Sequence, residues 1–174
     1  MRVENLEFTF DSTSAPLRYD ESRHYQEVFK DASGGHKGVD IVAVDGAPAL
    51  ATAWLIEAKD FRVISNPPKR ANVADLPLTV TGKVNDTLAG LADAAVNAAD
   101  VSERSHAIAA LAAPIKRVVL HLEPHTGSHT ALFPVGFAAS VLQRLRPHVL
   151  AIDANPLVLN IANTPSAGVP WTVA

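Results

Sequence analysis

The chain has 174 residues, a length that fits one ordinary domain. Hydrophobic residues make up 48% and charged residues 19%, which excludes extended disorder, and the net charge of −3 is not that of a dedicated nucleic-acid coat protein. The absence of cysteine excludes disulfides, thiolate zinc sites and cysteine nucleophiles. With a charged start and no long apolar run, we expect a soluble, cytoplasmic single domain over residues 1–174, with a core over about 17–155 and an apolar extension over 156–174.

Hydrophobic periodicity and turn residues predict alternating helices and strands. In chain order these are a strand over 3–10, a helix over 19–30, a hairpin of strands over 39–44 and 53–59, helices over 81–100 and 103–113, a strand over 117–122, a helix over 136–146 and a strand over 148–153. Asp45–Ala49 supplies the hairpin turn, and Thr81 supplies a helix cap. A hairpin followed by crossover helices predicts the α/β class, with a mixed central β-sheet flanked by helices.

Charged residues stand at the ends of the two hairpin strands. Side chains alternate along a strand, so Glu57 and Lys59 share one face at the end of an apolar run. Charged groups in such a place are normally paired or bound to a metal. Asp40 begins the neighbouring strand, where the predicted turn puts it opposite Trp54 or Leu55, roughly 7–10 Å from Glu57 at Cα. A shared cation could bridge two carboxylates at that separation.

This arrangement suits metal-assisted hydrolysis of a phosphodiester bond. Mg²⁺ prefers oxygen ligands and commonly takes one or two carboxylates, and a bound divalent metal polarises phosphate and lowers the pKa of a bound water. The ordinary pKa of lysine, about 10.4, makes it a poor general base, so we expect Lys59 to orient the water and stabilise the anionic transition state. The triplet Glu57-Ala58-Lys59 alone is common by chance, and its structural context carries the interpretation.

The order of a helix, an Asp-bearing strand, a turn and an apolar strand that ends in Glu-x-Lys resembles the PD-(D/E)XK nuclease superfamily, which includes restriction endonucleases and archaeal Holliday-junction resolvases. The resemblance covers about residues 20–95 and rests on Gly38-Val39-Asp40 and Ile56-Glu57-Ala58-Lys59. It implies a restriction-endonuclease-like core of αβββαβ type, Mg or Mn held by Asp40 and Glu57, and Lys59 serving the attacking water. Val39 stands where the family's namesake proline would be, and no evident DNA-reading domain is present.

The resemblance also implies auxiliary residues. Members often add an acid on the first helix, and Glu21 falls on the predicted inward face whereas Glu27 does not, so Glu21 is the favoured auxiliary acid. A solvated carboxylate at a helix start explains Glu21 equally well. Members also often place a basic residue on the helix after the motif, which makes Lys83 a candidate beside the alternative of a solvated surface lysine.

Basic residues surround the motif in sequence and could form a surface that follows a phosphate backbone. These residues are Arg62, Lys69, Arg70 and Lys83. The alternative is that long basic side chains on a loop only aid solubility. We treat the four as candidate substrate-binding residues.

A second polar cluster follows the strand over 117–122. His121 and Glu123 would share a strand face, with His125 and His129 in the next loop, and these residue types suit zinc. Pro124 interrupts the strand between them, so the simpler interpretation is a hydrated strand end near the same sheet edge. Asp153 has the position of a turn-forming aspartate.

The favoured hypothesis is a Mg²⁺- or Mn²⁺-dependent nuclease that acts on nucleic acid, with DNA favoured over RNA. One alternative is a non-catalytic member of the fold that binds partners or oligomerises, and another is a structural ion pair at a sheet edge. A third is a metallohydrolase built on the second polar cluster. A homodimer would supply two sites for cutting two strands, and the apolar tail over 157–171 is a candidate interface.

Overall fold

The computed structural model describes residues 1–62, 73–125 and 132–174. Eight strands are present in this part of the chain: β1 (Arg2–Val3), β2 (Leu6–Phe10), β3 (Ser14–Arg18), β4 (Ile41–Asp45), β5 (Thr52–Asp60), β6 (Ile115–Glu123), β7 (Leu157–Leu159) and β8 (Trp171–Val173). The longer helices are α1 (Leu76–Asn97), α2 (Val101–Ala112) and α3 (Phe137–Val149). No helix in the described ranges is long and apolar enough to cross a membrane.

A mixed five-stranded sheet in the order β3-β4-β5-β6-β7 forms the centre of the fold. β4 runs antiparallel to both of its neighbours, β3 and β5, whereas β6 is parallel to both β5 and β7. Helices α1 and α2 form the crossover between β5 and β6 that a parallel connection requires. The predicted α/β class with a mixed sheet is confirmed.

The two faces of this sheet are covered differently. All three helices pack on one face, over a core that includes Leu55, Val80 and Leu145. A small antiparallel sheet of order β1-β2-β8 covers the other face, where Phe8 and Trp171 are buried. The sheet is therefore flanked by helices, as expected, on one face, and the other face is covered by the small antiparallel sheet.

The chain ends build this small sheet. β8 pairs with β2, with Phe8 opposite Val173, so the predicted C-terminal extension is part of the covering layer. The predicted strand over 3–10 is split by a turn into β1 and β2. β3 was not predicted because Pro16 and the preceding polar residues resemble a loop. Proline is tolerated on an edge strand, and among the described strands β3 pairs only with β4.

Several predicted helix boundaries are wrong. α1 begins at Leu76, and Thr81 lies inside it and donates its hydroxyl to the Pro77 carbonyl. The helix expected over 19–30 is reduced to a 3₁₀ turn at Tyr19–Glu21 and a π-helical segment at Tyr25–Phe29.

The strand expected over 148–153 is also wrong. α3 continues through Pro147 to Val149, because Val141, Leu145 and Val149 form one buried stripe. Asp153 follows as a turn residue, and its carboxylate accepts a hydrogen bond from the Asn155 amide at 2.8 Å. The turn role predicted for Asp153 is confirmed.

Candidate active site

The register of the β4–β5 hairpin decides how close the two predicted metal-binding acids lie. Ile41 pairs with Ile56, so the next position along the register places Asp40 opposite Glu57. The expectation that Asp40 lies opposite Trp54 or Leu55 is wrong, because the connection between the strands runs over 46–51 rather than ending at residue 49. Directly opposed residues have Cβ atoms only about 4.5–5.5 Å apart, so the acids are closer than predicted.

Close packing fixes the chain at the entry to β4. A Cβ atom at Gly38 would lie 2.7 Å from the Tyr19 ring, so only glycine fits there without displacing that ring. The Val39 amide donates to the Thr87 hydroxyl of α1 at 2.9 Å. The Ala58 amide donates to Asp40 Oδ2 at 2.7 Å, which anchors this carboxylate across the hairpin. Asp40 is therefore fixed by β5, through its own carboxylate, and by α1, through the preceding residue Val39.

Glu57 is the centre of the charged cluster and is fully buried, at 0% exposure. Lys59 Nζ lies 2.9 Å from Glu57 Oε1. Lys83 reaches in from α1, with Nζ 2.8 Å from Oε1 and hydrogen-bonded to Oε2 at 2.8 Å. The structure thus brings together four of the predicted site residues, Asp40, Glu57, Lys59 and Lys83, on the helix-covered face of the sheet.

Burial and the neighbouring charges shift the pKa values of Glu57 and Lys59. Burial and the nearby Asp40 charge raise the pKa of Glu57, while the Lys59 and Lys83 ammonium groups act in the opposite direction. Burial by itself would lower the pKa of Lys59, but the charges of Glu57 and Asp40 outweigh it and raise that pKa above its ordinary value. Lys59 therefore stays protonated and is unsuited to act as a general base.

Glu4 is a site residue that the sequence analysis missed. It lies in the two-residue turn between β1 and β2, with a positive φ of 53°. Its Oε1 is 3.5 Å from Lys59 Nζ, and its Oε2 accepts a hydrogen bond from the Asp60 amide at 2.6 Å. The turn itself was detectable from the flanking apolar residues, but its contact with the end of β5 depends on how the small sheet docks.

The remaining predicted residues lie outside this cluster. The expectation that Glu21 faces inward is wrong, because its side chain is 67% exposed and pairs with Arg18 at 2.9 Å. Arg62 forms a two-point contact with Asp60 just beyond β5. Lys69 and Arg70 fall outside the described residues.

The second polar cluster lies on the opposite face of the sheet. His121 is completely buried, its Nε2 is 3.0 Å from Glu123 Oε1, and its ring meets Phe8 edge-on at 5.4 Å. The shared strand face is confirmed, but the expectation of a hydrated strand end is wrong because the small sheet covers it. His129 falls outside the described residues, and within the described ranges no group of three or more His, Cys, Asp or Glu side chains is arranged to hold a metal.

Fold and site together define an α/β protein with a buried, charge-compensated carboxylate at one end of its central sheet. No family model and no solved structure matches the chain. Among curated proteins it is similar to a cysteine–tRNA ligase of Neisseria meningitidis serogroup A / serotype 4A, with 27% identity over 211 aligned residues. That match covers 98% of this chain and 29% of the ligase, so the chain spans less than a third of its relative's length.

Proposed function

We propose that the chain is a divalent-metal-dependent nuclease that hydrolyses phosphodiester bonds, with a restriction-endonuclease-like arrangement of its site. The observation that carries this proposal is the convergence of four charged side chains. Asp40 and Glu57 are opposed across one hairpin, and two ammonium groups from different elements meet the Glu57 carboxylate. Two acids and a protonated lysine at one strand end are the groups that metal-assisted hydrolysis requires.

The donor atoms present fit a Mg²⁺ or Mn²⁺ ion. Glu57 Oε1 is buried and close to both ammonium groups, yet it accepts no correctly directed hydrogen bond. The Ala58 amide donates to Asp40 Oδ2 at 2.7 Å, and no hydrogen bond from the described residues to Asp40 Oδ1 is seen. Asp40 and Glu57 would hold the ion. When bound, such an ion polarises the scissile phosphate and activates a water.

Each side chain of the cluster then has a distinct task. The Ala58 amide orients the Asp40 carboxylate. Lys59, which stays protonated, donates hydrogen bonds that orient the attacking water and stabilise the negative charge that develops on phosphate. Glu4 restrains the Lys59 ammonium from the side of the small sheet. Lys83 and Arg62 supply positive charge for the substrate backbone.

A non-catalytic role is the second candidate. The observation that favours it is the contact of both Glu57 oxygens with ammonium groups, which already compensates the buried carboxylate. In that case the cluster would be a structural ion-pair network that stabilises the end of the sheet, and the protein would bind a partner or oligomerise.

Cleavage assays distinguish the two candidates. The protein is incubated with supercoiled plasmid, linear duplex, single-stranded DNA or RNA in the presence of Mg²⁺ or Mn²⁺. Parallel reactions contain EDTA, which removes the metal. RNA is included because the curated relative is a tRNA ligase. The Lys59→Ala variant should lose at least about 10²-fold in rate, as expected for loss of a transition-state donor.

Lys30→Ala is the matched control, since Lys30 is exposed and its side chain, within the described part of the chain, donates a hydrogen bond to Gln26 alone. It should retain the wild-type rate. Cleavage that resists EDTA, or a Lys59→Ala rate equal to wild type, would contradict the nuclease proposal. A folded wild-type protein that cleaves none of the substrates would favour the non-catalytic candidate.

A further inference from the structure

We propose that Lys83 is a built-in competitor of the divalent cation, occupying the Glu57 carboxylate until the cation displaces it. The inference rests on the proposed nuclease function and adds a means of regulation to the same site. It makes metal binding and release of the Lys83 side chain a single coupled event.

The contact geometry of Lys83 is that of a substitute cation. Its Nζ is 2.8 Å from both oxygens of Glu57, whereas the contact of Lys59 Nζ with Glu57 is to Oε1, at 2.9 Å. A buried carboxylate needs a positive partner, and an ammonium group meets that need when no metal does. Both oxygens that would face a cation are therefore already covered by the Lys83 ammonium.

The second lysine differs because it has another anionic partner. Lys59 is 3.5 Å from Glu4 as well as 2.9 Å from Glu57, so it keeps one carboxylate if Glu57 binds a cation. Lys83 has no second carboxylate partner among the described residues. A divalent ion on Glu57 would repel both ammonium groups, and Lys83 is the one that would leave.

Displacement has a consequence for substrate binding. The Lys83 side chain is 17% exposed and extends from α1, so a released ammonium group would be free to contact an anionic phosphate at the edge of the site. Because binding couplings are reciprocal, a phosphodiester that captures Lys83 would also favour cation binding. Metal and substrate would then bind cooperatively.

Direct measurement of Mn²⁺ binding tests the inference without relying on activity. Free Mn²⁺ is followed by electron paramagnetic resonance at mildly alkaline pH in the wild type and in Lys83→Met, Lys83→Gln, Asp40→Asn and Lys30→Met. Removing the competing charge should tighten Mn²⁺ binding about tenfold in both Lys83 variants. Lys30→Met removes a positive charge that is not part of the Glu57 cluster and should bind as the wild type does, while Asp40→Asn should remove the site.

The outcomes separate this inference from the proposed function. Unchanged or weaker binding in both Lys83 variants, with binding still lost in Asp40→Asn, would overturn the competitor role and leave the metal site standing. Mn²⁺ that binds none of the proteins would overturn the metal site itself. Circular dichroism of each variant checks folding, and Lys83→Gln, which keeps a polar chain of similar length, decides the matter if Lys83→Met does not fold.

Discussion

Each face of the central sheet has a buried carboxylate, and the two carboxylates are contacted by different kinds of groups. On the helix-covered face, Glu57 is met by ammonium groups from β5 and from α1, and Asp40 lies opposite it, immediately before β4. On the other face, Glu123 is met by its own strand neighbour His121 and by the Ile161 amide at 2.6 Å. The first cluster draws charged side chains from separate elements, whereas the second is completed by a neighbouring histidine and a backbone amide.

This difference separates a candidate site from a structural contact. Lys59 and Lys83 are partly exposed, so the Glu57 cluster borders solvent and can meet a ligand. His121 is sealed beneath Phe8 and the small sheet. A buried acid therefore suggests a site when its partners are charged and partly exposed, and suggests packing when its partners are enclosed.

The largest expected effect concerns the buried carboxylate of the helix-covered face. Glu57→Ala would leave two ammonium groups without their shared partner, and we expect a loss of about 3 kcal/mol in the free energy of unfolding. Urea denaturation measures this loss. The double variant Glu57→Ala/Lys83→Met should recover part of it, because one unpaired charge is removed. An unchanged free energy of unfolding in Glu57→Ala would mean that the cluster contributes nothing to stability. The buried carboxylates of the two faces would then differ less than their contacts indicate.

A pH series tests the enclosed face. Burial lowers the pKa of His121, although Glu123 opposes the shift, so the folded state binds fewer protons than the unfolded state. The stability that the folded state gains from a neutral His121 is fully present above the unfolded-state pKa of about 6.5. It falls as the pH drops below that value, by at most about 1.4 kcal/mol per pH unit. His121→Gln lacks this group and should show a shallower decline in thermal unfolding curves. If the stability of the wild type and of His121→Gln depended on pH in the same way, His121 would have the same pKa in the folded and unfolded states.

The smallest effect is expected at Arg62, beyond the end of β5. The Arg62 side chain is 36% exposed, and the Arg62 backbone amide would still donate to the buried Asp60 carboxylate, so Arg62→Ala should change the free energy of unfolding by only about 1 kcal/mol. If Arg62 contacts phosphate, the same variant should reduce the salt dependence of duplex binding by about one phosphate contact. Fluorescence anisotropy at several salt concentrations measures that slope. An unaltered slope would remove Arg62 from the proposed substrate surface and narrow the site to the buried cluster.

Local patterns determined much of the central sheet. Apolar runs with β-branched residues predicted β4, β5 and β6, and alternation predicted that Glu57 and Lys59 share a face. The register was missed because turn chemistry at Asp45-Gly46 gave too short a connection. Since register depends on the length of the whole loop, one error moved Asp40 away from its true partner.

Long-range docking decided the rest. The sequence by itself specified an α/β protein with two acids and a lysine at a strand end, because burial and alternation are encoded within single elements. Only the tertiary structure decided that Glu57 is shared by Lys59 and Lys83, that Glu4 reaches Lys59 from the first turn, and that Glu21 stays outside. Those contacts join residues far apart in sequence, and their formation depends on how α1 and the small sheet pack against the same strand end.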